Sequence, residues 1–263
     1  MTDVYGAYRP DQGSHALITG GGTGIGAAIA ARLGGADSGF RVTVVGRRPE
    51  PLRQVADRLD AAQAVTFDIT DEAAIEAGLA TATERFGPVD ILVNSAGAAK
   101  SSPFGRTTIE TWHAMLEANL TGVFLVSRAV LPAMLERRRG RIVSIASTAG
   151  LKGYAYVAAY CAAKHGVIGL TRSLALEVAQ RGITVNAVCP GYTETELLDR
   201  SVANITERTS MNEEEARKEL VKTNPQGRFV PPEEVAETVA WLVGPNAAAI
   251  TGQAIAVAGG EVM

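Results

Sequence analysis

Tyr160 and Lys164 stand four residues apart in VAAYCAAKHGVIGLTRSLALE, whose alanines and leucines favour helix, so the two side chains share one face. A phenol, with an ordinary pKa of about 10, is a poor acid or base at neutral pH. A neighbouring ammonium favours the phenolate and lowers that value. The pair therefore reads as a general acid/base. Ser147 lies thirteen residues before Tyr160, at the end of a predicted strand, where its hydroxyl can polarise a carbonyl oxygen in the crevice at the carboxyl edge of a sheet. Asn119 sits in LEANLTGVFLV, an apolar setting in which a buried amide needs hydrogen-bonding partners. A helix kink, a proton relay or a satisfied core amide each supplies them.

A phosphate-binding turn precedes this chemistry. Thr19-Gly20-Gly21-Gly22-Thr23-Gly24-Ile25-Gly26 follows a predicted strand directly and runs into the helical AAIAARL. Glycines let the backbone turn sharply and approach a pyrophosphate, while the N–H groups at the helix start attract its charge. The spacing of Gly20, Gly24 and Gly26 is GxxxGxG, not GxGxxG. After the second predicted strand, where an acidic residue often accepts bonds from ribose hydroxyls, stand Gly46, Arg47 and Arg48. Two guanidiniums and no carboxylate favour a 2′-phosphate, so NADP(H) is expected in preference to NAD(H).

Other residues complete the nucleotide reading. Asp68, before Ile69, either accepts from the adenine amino group or caps the next helix. Asn94, Ala96 and Gly97 close the fourth strand in NSAG, and Pro190-Gly191 follows the sixth. Tyr192, Thr193 and Thr195 then offer backbone N–H and hydroxyl groups to the nicotinamide carboxamide.

The elements that must position these groups alternate along the chain. β-branched runs at 15–19, 41–45, 63–67, 89–94, 140–146, 182–188 and 253–257 alternate with apolar-periodic segments at 24–36, 71–86, 119–138, 157–180 and 232–243. That is the α/β pattern of βαβ units feeding a parallel sheet, within a single domain over 14–263. Residues 1–13 read as a short leader. The polar, helix-prone stretch 191–226 breaks the rhythm and is either an insertion covering the site or a solvated excursion.

Composition narrows the partners. With 25 basic and 28 acidic residues the net charge is -3, which supplies no footprint for nucleic acid or an anionic membrane. The apolar stretch Val123 to Leu135 is broken by Arg128 and Pro132 and is too short to span a bilayer. Cys161 and Cys189 form neither a disulfide framework nor a metal pattern, and no metal is expected. A cytoplasmic location follows.

On TGGGTGIG, NSAG, Asn119, Ser147, YCAAK at 160–164 and CPGYTET at 189–195, the chain resembles the short-chain dehydrogenase/reductase family from His15 to Met263. The resemblance implies a doubly wound Rossmann domain with a mostly parallel seven-stranded sheet, helices on both faces, and a homotetramer or homodimer. It implies Tyr160 as general acid/base, Ser147 as orienter of the substrate oxygen, Lys164 as ribose ligand and tuner of the tyrosine, and Asn119 as support for a proton relay. Two departures are visible: NSAG stands for the usual NNAG, and Ala258-Gly259-Gly260 for a frequent Asp-Gly-Gly. Within the family the chain looks like aromatic polyketide ketoreductases and 3-hydroxyacyl thioester dehydrogenases, including those acting on CoA esters.

The expected reaction interconverts a ketone and a secondary alcohol. Gly153, Tyr154, Tyr156 and Tyr192 suit a ring or acyl chain, while Lys100, Arg106 and Lys152 either meet phosphates or form a solvated rim. A 3-ketoacyl or 3-hydroxyacyl thioester on CoA or a carrier protein fits both halves. A cyclic ketone, steroid or sugar alcohol is the alternative substrate, and an inactive nucleotide-binding partner subunit the alternative class.

Overall fold

Alternation with a period of two places neighbouring residues of each strand on opposite sheet faces, and here both faces are apolar. In β1 (His15–Thr19), Ala16 and Ile18 pack into one layer and Leu17 into the other. The computed structural model describes residues 13–35 and 38–263. The leader read at 1–13 lies, Gly13 apart, outside the described residues.

The remaining strands are β2 (Arg41–Gly46), β3 (Ala62–Thr66), β4 (Ile91–Asn94), β5 (Gly140–Ile145), β6 (Ile183–Pro190) and β7 (Ala254–Val257). They form one sheet in the order β3-β2-β1-β4-β5-β6-β7. Every pairing is parallel, so the mostly parallel sheet expected from the sequence is parallel throughout. The order reverses between β1 and β4, which opens a crevice above their carboxyl ends.

Helices α1 (Gly24–Gly34), α2 (Pro49–Ala56), α3 (Glu72–Phe86), α4 (Ile109–Leu116), α5 (Gly122–Arg137), α6 (Ala158–Val178), α7 (Glu196–Arg208), α8 (Glu213–Val221) and α9 (Pro232–Val243) cover the sheet and its upper edge. Ile29 and Leu33 of α1 and Val235 and Val239 of α9 fill one layer. Ile75 of α3, Val126 and Met134 of α5 and Val178 of α6 fill the other. Burying one Leu- or Ile-sized side chain contributes about 1.5–3 kcal/mol, so these layers hold the sheet between them.

Two differences from the sequence reading have local causes. The helix placed at 119–138 begins ten residues earlier, at Ile109, where Thr108 caps α4 by accepting from Thr111 N at 3.2 Å. A π-helical turn over Glu117–Thr121 joins α4 to α5. The helical run Ile109–Arg137 is therefore long and apolar enough to cross a membrane by length and composition, although Val123 to Leu135 alone is not. Its Met115, Asn119, Val126, Val130 and Met134 are buried in the protein core. Helix α2 escaped the reading because Pro49 and Pro51 open it, at positions where proline's missing N–H costs nothing. The stretch 191–226 folds as α7 and α8, tied at its base by a parallel bridge between Thr193 and Val230.

Candidate active site

Tyr160 and Lys164 lie on the first two turns of α6. The Lys164 ammonium donates to the Ile145 carbonyl at 2.8 Å and stands 5.6 Å from the centre of the Tyr160 ring. Burial lowers the Lys164 pKa to about 8. Burial also pushes Tyr160 up to about 12, against the opposing pull of a hydrogen bond with Ser147. The lowering of Tyr160 expected from the adjacent ammonium is not produced by this chain's own groups. The lysine faces the ring and a carbonyl, and desolvation of the phenolate wins.

Ser147 lies beyond β5, which ends at Ile145, on extended backbone that turns it into the crevice. Its Oγ accepts from Ala149 N at 3.1 Å. Asn119 is fully buried in the π-helical turn. Its Nδ2 donates to Ala98 O at 2.8 Å and Met115 O at 2.9 Å, and its Oδ1 accepts from Ala98 N at 3.2 Å. The amide is thus satisfied and ties the long helix to the segment after β4. A Cβ on Gly97 would come within 2.8 Å of Asn119 Oδ1, which explains the glycine there.

The glycine turn is held by equally close contacts. Gly20 has a φ of +67°, and a Cβ there would sit 2.8 Å from the Ala96 backbone. A Cβ on Gly26 would stand 2.2 Å from the Gly20 carbonyl oxygen. Thr19 Oγ1 accepts from Ser95 N at 3.1 Å and Ala96 N at 3.2 Å, locking the two strand ends together. Thr23 occupies the N-cap of α1 without a side-chain capping bond, so the first-turn N–H groups face the crevice. Such a cradle fits a pyrophosphate.

Arg47 and Arg48 flank it, largely exposed. Arg47 Nη1 lies 4.0 Å from Asp68 Oδ2 and Arg48 Nη2 lies 3.8 Å from Glu196 Oε2, loose pairs that a phosphate can displace. Asp68 stands two residues past the end of β3, and its Oδ1 accepts from Thr70 N at 3.0 Å. The helix cap considered for Asp68 belongs instead to Asp71, which accepts from Ala74 N.

One cleft of about 780 Å³ joins these parts. Gly20, Thr23, Gly24, Ile25 and Gly26 line one end with Arg47, Arg48, Asp68 and Ile69. Ala96, Gly97, Asn119, Ser147, Tyr160 and Lys164 line the cleft as well, with Pro190, Gly191, Tyr192, Thr193 and Thr195, the last beside Gly24. Asn94 alone among the expected site residues is set behind the lining. It is buried and donates to Ser127 Oγ at 3.0 Å, so it supports the strand end from within the core. Lys100, Arg106 and Lys152 also stay outside the lining.

Tyr192 does more than offer its backbone. Its ring packs with Leu198 and Val202 of α7 and Ala216 of α8, and meets Tyr154 edge-on with centroids 6.5 Å apart. Thr148 and Glu196, in the loops at 147–156 and 192–220 expected from the sequence to face a substrate, line the cleft, whereas sequence reasoning missed Glu261, whose carboxylate lies against Gly191. Glu261 sits in no motif with its own spacing.

Comparison with known proteins agrees with this geometry. The family model described as short chain dehydrogenase matches residues 14–206. The chain belongs to the short-chain dehydrogenases. This short-chain dehydrogenase is 47% identical over 251 residues to a Streptomyces coelicolor protein provisionally named ketoacyl reductase, covering 93% of this chain and 95% of that one. It is 40% identical over 253 residues to the 3-oxoacyl-[acyl-carrier-protein] reductase FabG of Vibrio cholerae, covering 96% and 98%. A crystal structure of a single-residue variant of actinorhodin polyketide ketoreductase with NADPH superposes with a TM-score of 0.91 at 46% identity, covering 94% and 97%. The chain is therefore an oxidoreductase with a nicotinamide dinucleotide cofactor, on a doubly wound domain with helices on both faces.

Proposed function

We propose that this short-chain dehydrogenase is an NADPH-dependent ketoreductase acting on a 3-ketoacyl group carried as a thioester, on CoA or a carrier protein. The observation that supports it most is the single cleft running from Arg47 and Arg48 past the glycine cradle to Tyr160 and Ser147. Ketoacyl reductases among its relatives point the same way.

The nicotinamide supplies a hydride when bound. Tyr160 holds a proton for the oxygen of the reduced carbon, since burial keeps the phenol protonated at neutral pH. Ser147 orients that oxygen by a hydrogen bond. Lys164, anchored on Ile145 O, places positive charge beside the tyrosine as its proton leaves, and can hold ribose hydroxyls. Asn119, satisfied by Ala98 and Met115, holds the segment after β4 in place beside the reacting groups. Arg47 and Arg48 grip the 2′-phosphate that distinguishes NADPH from NADH. Helix α7, which lines the cleft with Leu197, Leu198 and Ser201, covers the substrate.

A second reading, reduction of a cyclic ketone, is favoured by the edge-on pair of Tyr154 and Tyr192 in the wall, which suits a ring. Steady-state assays with NADPH or NADH, each with acetoacetyl-CoA and with a bicyclic ketone such as α-tetralone, test both. Turnover of the thioester with NADPH is expected. Preference for NADH overturns the cofactor assignment, and turnover of the bicyclic ketone alone overturns the thioester.

The protein is expected to work in the cytoplasm as a homotetramer. Exposed Phe124 on α5, Leu176 on α6 and Trp241 on α9 provide apolar faces for such assembly. Light scattering that reports a monomer would contradict it.

A further inference from the structure

Glu261 is a carboxylate in the wrong place for a surface residue. Its side chain is only 1% exposed, and burying a charge is costly unless it is paired and hydrogen-bonded. Lys152 Nζ lies 3.3 Å from its Oε1 and the Tyr154 hydroxyl 2.5 Å from the same oxygen. The tyrosine has one hydroxyl proton and the ionised carboxylate has none, so that proton goes to Glu261. The Thr148 hydroxyl, 2.7 Å from the Tyr154 oxygen, must then donate to it. The result is a directed chain from Thr148 through Tyr154 to Glu261.

The chain joins the loop after β5 to the C-terminal segment, which in turn rests on two further loops. Thr148 and Tyr154 belong to the loop after β5, and both line the cleft. A Cβ on Gly191, after β6, would lie 2.9 Å from Glu261 Oε2, so the carboxylate rests against the loop that carries Tyr192. A Cβ on Gly259 would lie 2.1 Å from Asn224 Oδ1, so the same C-terminal segment is pressed on the loop after α8. Lys152 also stacks on the Tyr154 ring, its Nζ 4.9 Å from the centroid. With its hydroxyl committed to Thr148 and Glu261, Tyr154 lines the cleft and packs at nearly a right angle to Tyr192.

Resting on the ketoreductase reading, we propose that Glu261 is a positioning residue that fixes Tyr154 as an aromatic wall against which the ketone substrate is held. It lies behind the residues that line the cleft. Its effect belongs to substrate binding.

The test compares Glu261→Ala, Glu261→Gln, Tyr154→Phe and the Glu261→Ala/Tyr154→Phe double variant with wild type, using NADPH with acetoacetyl-CoA and with α-tetralone. Glu261→Ala and Tyr154→Phe should each raise KM for the reduced ketone about fivefold, the loss of one ordinary hydrogen bond, with kcat and the NADPH Kd within about twofold. The double variant should be no worse than Glu261→Ala alone, since both remove the same contact. Glu261→Gln, whose amide oxygen still accepts from Tyr154, should recover most of the loss. Unchanged KM in Tyr154→Phe overturns the proposal, even if Glu261→Ala does not fold. So do additive effects, or a loss of turnover in Glu261→Ala that merely follows falling Tm and NADPH binding. If the wild type reduces neither ketone, the ketoreductase reading fails and this inference with it; turnover by the wild type with unaffected variants sinks this inference alone.

Discussion

Tyr160 and Lys164 divide one task by environment. Burial holds the phenol at about 12 and the ammonium at about 8, so near neutral pH the first keeps its proton and the second its charge. As pH rises through about 8 the lysine becomes neutral while the tyrosine remains an acid that has lost its supporting charge. The profile of kcat/KM for ketone reduction is therefore expected to fall above about pH 8, and a plateau extending to pH 10 would contradict this assignment. Tyr160→Phe should lower kcat by about 10²–10⁴, the usual worth of a positioned acid, while fluorescence titration still detects NADPH binding. These two residues were legible because helical spacing alone brings them together. Glu261 was not, because it meets Tyr154 across 107 residues and only the fold reveals the contact.

At the scale of elements, the π-helical turn at Glu117–Thr121 is what lets a buried amide reach sideways out of a helix. One extra residue in the turn frees backbone carbonyls, and Asn119 takes the Met115 carbonyl while spending its other valences on Ala98. Asn119→Ala leaves those backbone groups unpaired in the core. A cost of about 1–3 kcal/mol is expected for such groups, read as a Tm lower by about 2–4 °C per kcal/mol in calorimetry of a chain this long. An unchanged Tm would mean that water replaces the amide. Strands and most helices were legible from period and composition. The start of α4 was not, since Thr108 and the exposed Ile109 carry a weak apolar signal and the capping bond appears only in three dimensions.

The whole molecule has a second polar cluster, at the opposite end of the sheet from the cleft. His15 is fully buried, with Nδ1 2.7 Å from Gly87 O and Nε2 2.8 Å from Thr43 Oγ1. The carbonyl can only accept, so Nδ1 carries the proton; Gln63 donates to Thr43 at 2.9 Å, and the threonine donates onward to Nε2. A second ring proton would have to reverse the bond to Thr43. Burial accordingly lowers the His15 pKa, with Asp90 raising it and Arg41 and Arg137 lowering it in smaller measure. Because the unfolded chain takes up the proton first, stability from this group is complete above the ordinary histidine value of about 6.5 and is lost as pH falls below it. Melting curves should show Tm declining from pH 6.5 downwards, with a shallower decline in His15→Gln. Equal slopes would exclude His15 as the source. The sheet's strand count was legible in the sequence, whereas its order was not, because order is set by which layers the helices fill.

That order places a seam through the cradle. Gly20 belongs to the first strand's turn and Ala96 to the fourth's, and they touch so closely that no Cβ fits between them. The glycine-rich turn is thus no portable peptide; it takes shape only when two halves of the sheet, separated by the whole β2–β3 excursion, have docked. A parallel pairing of such long range forms slowly. A dinucleotide bound across the seam recognises only the docked state and stabilises it by RT ln(1 + [L]/Kd). Cofactor binding is thereby coupled to the docking of the two halves of the sheet.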